Sequence, residues 1–233
     1  MRINNYIKSS GICSRREADR LIEAGCVYVN GVLAGTGMDI QDGDEVKVNG
    51  VIVKPQEHDI FLLLNKPIGI ETTTEKKKNN IIDFVGYPER LFPIGRLDKD
   101  SCGLILLTNN GDSVNKICRQ EFEHEKEYFV RVDKVLKPDF KEKMENGVEI
   151  YNPVRHCIEK TKKCKIEIVS STEFKIILTQ GLNRQIRRMS KALGYNVIYL
   201  ERIRIMHITK ENLKVGKYRL LTNDEIKRLK EQF

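Results

Sequence analysis

The segment of residues 95–111 reads GRLDKDSCGLILLTNNG, and it carries more information about fold and function than any other part of the chain. It places one carboxylate, Asp98, in a loop flanked by glycine and arginine, just before the apolar run Leu104–Leu107. Such an uninterrupted apolar run is typical of a buried strand. A carboxylate held beside an arginine and a packed strand stays ionised and oriented, which suits a nucleophile or a general base. A loop aspartate that only shapes a turn is the commoner alternative.

Three segments resemble motifs of the pseudouridine synthases, in the branch that modifies ribosomal RNA and carries an extra N-terminal RNA-binding domain. The first is GRLD followed by GLILLTN within residues 95–109. The second is HEKEYFV at residues 124–130, and the third is QGLNRQIRRM at residues 180–189. Because the three occur in the family's order and the similarity extends along the chain from about Arg2, the resemblance is specific.

The resemblance implies the roles of the site residues. Asp98 is the expected catalytic carboxylate, Tyr128 is expected to stack under a flipped uracil, and Arg187 is expected to face Asp98. A bidentate guanidinium contact would keep that carboxylate ionised and oriented. Arg184 and Arg188 share a broad helix face with Arg187, so either is an alternative partner or a phosphate-binding residue. From the residues alone, a tyrosine that alternates with valines more often belongs to the core.

Basic residues are the expected RNA contacts. The first 54 residues resemble the RNA-binding domain named after the fourth small-subunit ribosomal protein, and their arginines concentrate near the start. A mixed-charge surface helix is the alternative for these residues, and a structural role in the loop is the alternative for Lys66 and Arg96. The predicted RNA-binding set is Arg2, Lys8, Arg15, Arg16, Arg20, Lys66, Arg96, Arg184, Arg188 and Arg202.

The net charge of +8 is concentrated in the last quarter of the chain. Residues 181–233 hold 13 Lys+Arg against 5 Asp+Glu, whereas the other 180 residues are balanced with 28 of each. A polyanion is the partner that such a distribution favours, because phosphate contacts supply salt-sensitive affinity.

The pattern of the chain predicts an α+β protein of two domains. Residues 1–54 read as two helices and two hairpins with Asn-Gly turns, forming a small RNA-binding domain. Residues 55–59 form a polar linker, and residues 60–233 form a catalytic domain in which strands are grouped with interspersed helices. Its predicted strands include Val197–Leu200 and, separately, Ile203–Ile208. The resemblance implies a mixed, mostly antiparallel sheet in this domain.

Composition narrows the class of protein further. Six cysteines without a Cys-x-x-Cys pair indicate reduced thiols in the cytoplasm, and the spacing of His156, Cys157 and Cys164 matches no common zinc site. No apolar run approaches the roughly 20 residues needed to cross a membrane. The N-terminus lacks the apolar core of a secretion signal. No Gly-rich cofactor fingerprint is present, so we expect no small-molecule cofactor. We also expect no metal, and we expect the protein to be a monomer.

The function implied by the resemblance is site-specific isomerisation of uridine to pseudouridine in ribosomal RNA. A 23S rRNA stem-loop is the preferred substrate, and 16S rRNA or tRNA are alternatives. The enzyme would have to flip the target base out of the folded RNA. Two rival functions remain open: a non-catalytic RNA-binding assembly factor, and an RNA-directed glycosylase or nuclease. The chain shows no paired carboxylates or metal cluster in favour of strand cleavage.

Overall fold

The computed structural model describes residues 1–56, 58–118 and 123–232, without the side chains of Asp112 and Asn115. Contacts divide the chain into two units. The small unit comprises Met1–Ile60 and Tyr87–Leu91, and the large unit comprises Phe61–Gly86 and Phe92–Phe233. The domain boundaries 1–54, 55–59 and 60–233 stay a prediction, and no sequence feature indicated that residues 87–91 belong with the small unit.

The small unit has two helices followed by a sheet with the strand order β2-β1-β3-β4 in the described residues. Ser14 begins the second helix by accepting a hydrogen bond from the Glu17 amide at 3.1 Å. Asn30 and Asn49 open the two hairpin turns with φ of 51° and 50°, as the Asn-Gly pairs predict. The predicted helix pair and hairpins are confirmed. The elements are α1 (Ile3–Ser9), α2 (Arg15–Glu23), β1 (Val27–Val29), β2 (Val32–Leu33), β3 (Val46–Val48) and β4 (Val51–Val53).

The large unit is built on one nine-stranded sheet, counted over the described residues. Its main path is β11-β12-β8-β13-β7-β5-β15, with β14 beside β13 and β6 beside β7. The β7–β13 pair is parallel and the other neighbours are antiparallel. The predicted α+β class with a mixed, mostly antiparallel sheet is confirmed. The elements are β5 (Phe61–Lys66), α3 (Ile81–Val85), β6 (Phe92–Ile94), β7 (Cys102–Thr108), α4 (Gly111–Cys118), β8 (Lys126–Val132), α5 (Phe140–Glu145), β9 (Glu149–Asn152), β10 (Cys157–Lys160), β11 (Lys165–Ser170), β12 (Glu173–Leu178), α6 (Gln185–Ala192), β13 (Val197–Ile205), β14 (Ile208–Thr209), β15 (Tyr218–Leu220) and α7 (Asn223–Lys230).

Two apolar clusters hold this sheet together. One joins β8 and β12 to α5 and α6, and within it the ring of Phe140 packs edge-on against Phe174 at a centroid distance of 4.9 Å. The other joins β5 and β7 to β14 and α7. Ile186 and Met189 bury one face of α6 in the first cluster. The arginines of this helix therefore face away from the core.

The structure corrects the sequence prediction at β13, a strand of nine residues. Val197–Leu200 and Ile203–Ile208 were predicted as separate strands, whereas the structure has one strand with irregular register and a short return strand, β14. Between Arg202 and Arg204, two residues of β13 pass one residue of β8. Such a bulge shifts the alternation of side chains by one residue, so that Arg202 and Arg204 lie on opposite faces of the sheet. Hydrophobic alternation does not reveal a bulge, which is why the sequence suggested a break here.

The parallel β7–β13 pair depends on a glycine. Gly103 lies opposite Arg202 in the register and has a φ of +104°. A Cβ atom at this position would lie 2.3 Å from the Arg202 carbonyl oxygen and 2.5 Å from its amide nitrogen. Because both atoms belong to the backbone, the strands would have to move apart to admit a side chain.

We therefore expect Gly103→Ala to destabilise the protein by about 3 kcal/mol, since an unfavourable φ costs roughly 1–3 kcal/mol and overpacking a similar amount. Urea unfolding followed by circular dichroism measures the change. Gly35→Ala is the control, because its Cβ would enter open space. Equal stability of the two variants would contradict the close approach of β7 and β13.

Candidate active site

A cavity of about 610 Å³ opens in the large unit and is lined by all three sequence motifs. Asp98 contributes from the loop between β6 and β7, Tyr128 from β8, and Arg184 from the segment before α6. The volume is that of a typical small-ligand site, sufficient for a single nucleotide. Residues 30 and 86 positions apart in the sequence thus meet around one cavity, as the ordered motifs predict.

The loop that carries Asp98 is fixed by its neighbours. The Asp98 carbonyl accepts a hydrogen bond from the Ser101 amide at 3.1 Å, which closes a turn. Leu97 is buried, and the Thr72 hydroxyl contacts its backbone on both sides. That hydroxyl donates to the Leu97 carbonyl at 2.7 Å and accepts from the Leu97 amide at 3.2 Å. The Asp98 side chain remains 33% exposed, so its carboxylate is oriented yet accessible from the cavity.

The arginines of the third motif are arranged differently from the prediction. The expected bidentate pair of Arg187 with Asp98 is not formed; instead Arg184 binds Asp100 through two contacts of 3.0 and 2.7 Å. Arg184 also has its Nη1 atom 3.9 Å from Oδ2 of Asp98. Arg187 donates to the Asp100 carbonyl at 2.9 Å and to the Ser101 hydroxyl at 3.3 Å. Arg187 therefore holds the turn that follows Asp98, and Arg184 is the arginine in ion-pair range of its carboxylate.

The backbone explains this exchange of partners. Arg184 precedes α6 with a left-handed φ of 50°, which is uncommon for a residue with a side chain. Hydrogen bonds from Arg184 hold the pKa of the Asp100 carboxyl below its usual range, and Arg184 itself has a raised pKa because of this contact. Burial lowers the pKa of Arg187. Sequence spacing selects a helix face but does not specify the φ at its first residue.

Lys66 corrects a predicted RNA contact. It is fully buried, and its ammonium donates to the carbonyls of Pro67 and Ile70, each at 2.9 Å. Burial lowers the pKa of Lys66 to about 8, although the charge of Asp98 acts in the opposite direction. Lys66 therefore shapes the turn after β5, the alternative that the sequence left open, and does not reach a phosphate.

Arg202 is not the exposed phosphate contact that the sequence suggests, and its contact with RNA stays a prediction. It is 3% exposed and lines the cavity from β13. Its Nε atom donates to the Leu104 carbonyl at 2.6 Å, and its Nη1 atom lies 3.4 Å from the Arg96 carbonyl. Leu104 lies between the stretches of β7 that pair with β13 and β6, so the guanidinium fills a gap in the backbone hydrogen bonding. A basic residue on a strand gives no sign of this role in the sequence.

The other predicted RNA-binding residues are exposed or half-buried, and their contacts with RNA stay predictions. Arg96 and Arg184 are exposed and line the cavity, while Arg188 is half-buried and donates to Asn183 through Nε at 3.0 Å. In the small unit, Lys8 is half-buried. The exposed basic residues of that unit in the predicted set are Arg2, Arg15, Arg16 and Arg20.

Thr72 and Lys126 line the cavity and Asp100 lies between two lining residues, and none of the three was singled out from the sequence. Thr72 has no sequence signal, because it lies in a polar loop far from the motifs. Asp100 and Lys126 lie within quoted motifs. Lys126 also alternates with Tyr128, so the period of a strand indicates that both belong to one face.

In the parts of the chain that the structure describes, no three His, Cys, Asp or Glu side chains converge in a way that could hold a metal ion. The six cysteines are free thiols. Among the described helices, none is long and apolar enough to span a membrane.

Comparison with known proteins agrees with this combination of fold and site. The chain matches the RNA pseudouridylate synthase family over residues 60–192 and the S4 domain over residues 1–46. It therefore belongs to the RNA pseudouridylate synthase family and is a pseudouridine synthase. The resemblance and the enzyme class expected from the sequence are confirmed, which disfavours a non-catalytic assembly factor.

Individual relatives cover nearly the whole chain. It is 52% identical to the dual-specificity RNA pseudouridine synthase RluF of Escherichia coli (strain K12), over 97% of this chain and 77% of that protein. It is 34% identical to the ribosomal large subunit pseudouridine synthase B of Bacillus subtilis (strain 168), over 98% of this chain and 95% of that one. A crystal structure of a pseudouridylate synthase superposes with a TM-score of 0.71 at 28% identity, covering 98% and 99% of the two chains.

The Thr72 contacts yield a test of loop positioning. Thr72→Val keeps the side-chain shape but removes both hydrogen bonds to Leu97, so we expect the single-turnover rate to fall about 10- to 100-fold while RNA affinity is retained. Tritium release from RNA labelled at uridine C5 measures the rate. Thr72→Ser is the matched control and should recover most of the activity. An equal loss in both variants would mean that shape rather than hydrogen bonding matters.

Proposed function

We propose that this pseudouridine synthase isomerises specific uridines in ribosomal RNA, with 23S rRNA as its principal substrate. The observation that carries the proposal is the cavity lined by Asp98, Tyr128 and Arg184, one residue from each of the three motifs. The Bacillus subtilis relative named for the large ribosomal subunit supports the choice of RNA. The RluF relatives are named for dual specificity, so we extend the proposal to a second RNA substrate, for which 16S rRNA and tRNA are the candidates.

The reaction moves a bond without changing the formula of the nucleotide. The bond from ribose C1′ to uracil N1 breaks, the base turns, and C1′ bonds to C5. The proton on C5 leaves to solvent and N1 gains one, so neither oxidant nor reductant is required. Asp98 is the proposed catalytic carboxylate, which adds to the sugar or the base or removes a sugar proton. Each route requires an ionised carboxylate, and the guanidinium of Arg184 lies 3.9 Å from the Oδ2 atom of Asp98.

Tyr128 is the proposed platform for the flipped uracil. Its half-buried side chain lines the cavity from β8. Extruding a base costs a few kcal/mol, and stacking on an aromatic ring returns about 1–3 kcal/mol. Exposed arginines at the rim, Arg96 and Arg184, are the proposed contacts to the flanking phosphates.

The small unit is the proposed RNA-docking module, in agreement with its S4 match. Arg16 and Arg20 lie one turn apart on α2 and are both exposed. We propose that the enzyme works as a cytoplasmic monomer; its free thiols support a reducing compartment.

Asp98→Asn tests the catalytic assignment. The amide keeps the shape of the side chain but cannot act as nucleophile or base, so we expect isomerisation to be abolished while RNA binding survives. Tritium release and a binding titration measure the two properties. Retention of even a few per cent of the wild-type rate would reject Asp98 as the catalytic carboxylate.

The substrate is tested by mapping pseudouridines across rRNA and tRNA in cells with and without the gene. We expect loss of at least one position in 23S rRNA, restored by the wild-type chain and not by Asp98→Asn. Loss confined to 16S rRNA or tRNA would reject the principal substrate but keep the enzyme class.

The docking role is tested by the double change Arg16→Ala and Arg20→Ala. We expect weaker RNA binding and a log–log salt slope reduced by about one unit for each lost phosphate contact, or less. The rate at saturating enzyme should be retained. Lys54→Ala, an exposed basic residue of the small unit outside α2, is the control. Unchanged affinity in the double variant would exclude α2 from RNA binding.

A further inference from the structure

Two cations flank the tyrosine on the cavity face of the sheet. Arg202 of β13 lies directly opposite Tyr128 of β8 in the register. Lys126 lies two residues before Tyr128 on the same strand, so it shares that face. All three side chains line the cavity. A base stacked on Tyr128 would therefore lie within reach of both cations.

The carboxylates nearest in sequence lie on the opposite face of the sheet. Glu125 and Glu127 are both bound by Arg204, at 3.0 and 2.8 Å. The bulge before Arg204 turns its side chain to the face opposite that of Arg202, so it neutralises these two acids away from the cavity. Among the described residues, no carboxylate lies in ion-pair range of Lys126 or Arg202.

The cavity therefore holds positive charge, buried at Arg202 and half-buried at Lys126, that the described residues do not compensate. Arg202 is 3% exposed, and its Nη2 atom has no hydrogen-bond partner among those residues. Lys126 donates to the His124 carbonyl at 3.0 Å. Burial lowers the pKa of Lys126, and the charge of Arg202 lowers it further. A buried guanidinium with one unsatisfied nitrogen and no carboxylate partner among the described residues is costly to the protein alone, and an anion in the cavity would offset that cost.

We infer that Lys126 and Arg202 stabilise the uracil ring as it becomes an anion during isomerisation. The inference rests on the proposed function. When the bond from C1′ to N1 breaks, its electron pair stays on the base, and negative charge spreads to the uracil carbonyl oxygens. Meanwhile C1′ bonds to the Asp98 carboxylate, or Asp98 takes the sugar proton and a double bond forms in the sugar. Attack of Asp98 on the base also places negative charge on the ring oxygens.

The two cations should affect chemistry more than binding. Uracil is neutral in the bound substrate and becomes anionic only as the bond from C1′ to N1 breaks. Hydrogen bonds donated to the ring are therefore strongest in the transition state. A flanking phosphate, by contrast, is anionic throughout and would be held equally before and during the reaction. The division between rate and affinity therefore distinguishes uracil from phosphate as the occupant.

Lys126→Met is the test, because Arg202 also holds the Leu104 and Arg96 carbonyls and its loss would move the Asp98 loop. We expect the single-turnover rate to fall about 100-fold, with RNA affinity within about twofold of wild type. Lys126→Arg keeps the charge and should retain most of the rate. The matched control is Lys175→Met, since Lys175 lies on β12 opposite Phe129 and is bound to Glu167 at 3.0 Å, outside the cavity lining.

A substrate with a better leaving group supplies a rate comparison that a merely structural role of Lys126 would not change. Fluorine at C5 withdraws electrons and stabilises the uracil anion, so the base needs less help from the protein. With RNA that carries 5-fluorouridine at the target, we expect the rate ratio between wild type and Lys126→Met to shrink. Disappearance of 5-fluorouridine from nuclease digests measures that rate. Circular dichroism checks the fold, and Lys126→Gln replaces the Met variant if the latter does not fold.

Three results would overturn the inference. The first is a wild-type rate in Lys126→Met. The second is a loss of affinity with a salt slope lower by about one unit, which would assign the cations to a phosphate. The third is a rate ratio that is unchanged by fluorine. Failure of the proposed function itself looks different, because wild type and Lys175→Met would then also leave the ribosomal uridines unmodified.

Discussion

The close approach of β7 to β13 is the constraint on which the catalytic cavity depends. Gly103 admits the backbone of Arg202 to a distance at which no side chain fits. The turn that carries Asp98 ends at the start of β7. Strand β13 contains Arg202 and pairs with β8, the strand of Tyr128. Since both strands belong to one sheet, a shift of β7 against β13 would move the Asp98 carboxylate relative to the Tyr128 ring. Rigid sheet elements position such groups better than loops alone.

Side-chain hydrogen bonds also connect the Asp98 loop to the β7–β13 pair. Arg202 crosses from β13 to the carbonyls of Leu104 and Arg96, and Thr72 fixes Leu97 from the other side. These bonds are buried, where loss of a partner leaves a polar group unsatisfied at a cost of about 1–3 kcal/mol. The loop can thus keep an exposed carboxylate in one orientation, which a freely moving loop could not do.

The sequence predicted the class, the main strands and the motif residues that meet at the cavity, because hydrophobic runs, capping residues and ordered motifs are local signals. It predicted the wrong environment for Lys66 and Arg202, both of which are buried and bonded to the backbone. A basic residue on a strand has the same local signature whether it reaches a phosphate or a carbonyl. The partner of Arg187 was missed for a related reason, since the left-handed φ of Arg184 is a tertiary feature.

The bulge between Arg202 and Arg204 in β13 separates charge across the sheet. Without it, Arg202 and Arg204 would lie on one face with the regular period of a strand. With it, Arg204 neutralises Glu125 and Glu127 on one side, and on the other side Arg202 and Lys126 have no acidic partner within the described part of the chain. Exposed arginines around the cavity are screened by salt and water, so they suit a polyanion that must bind and leave. Buried cations are screened far less, and their interactions are therefore strongest with charge that exists only while the base is detached from the sugar.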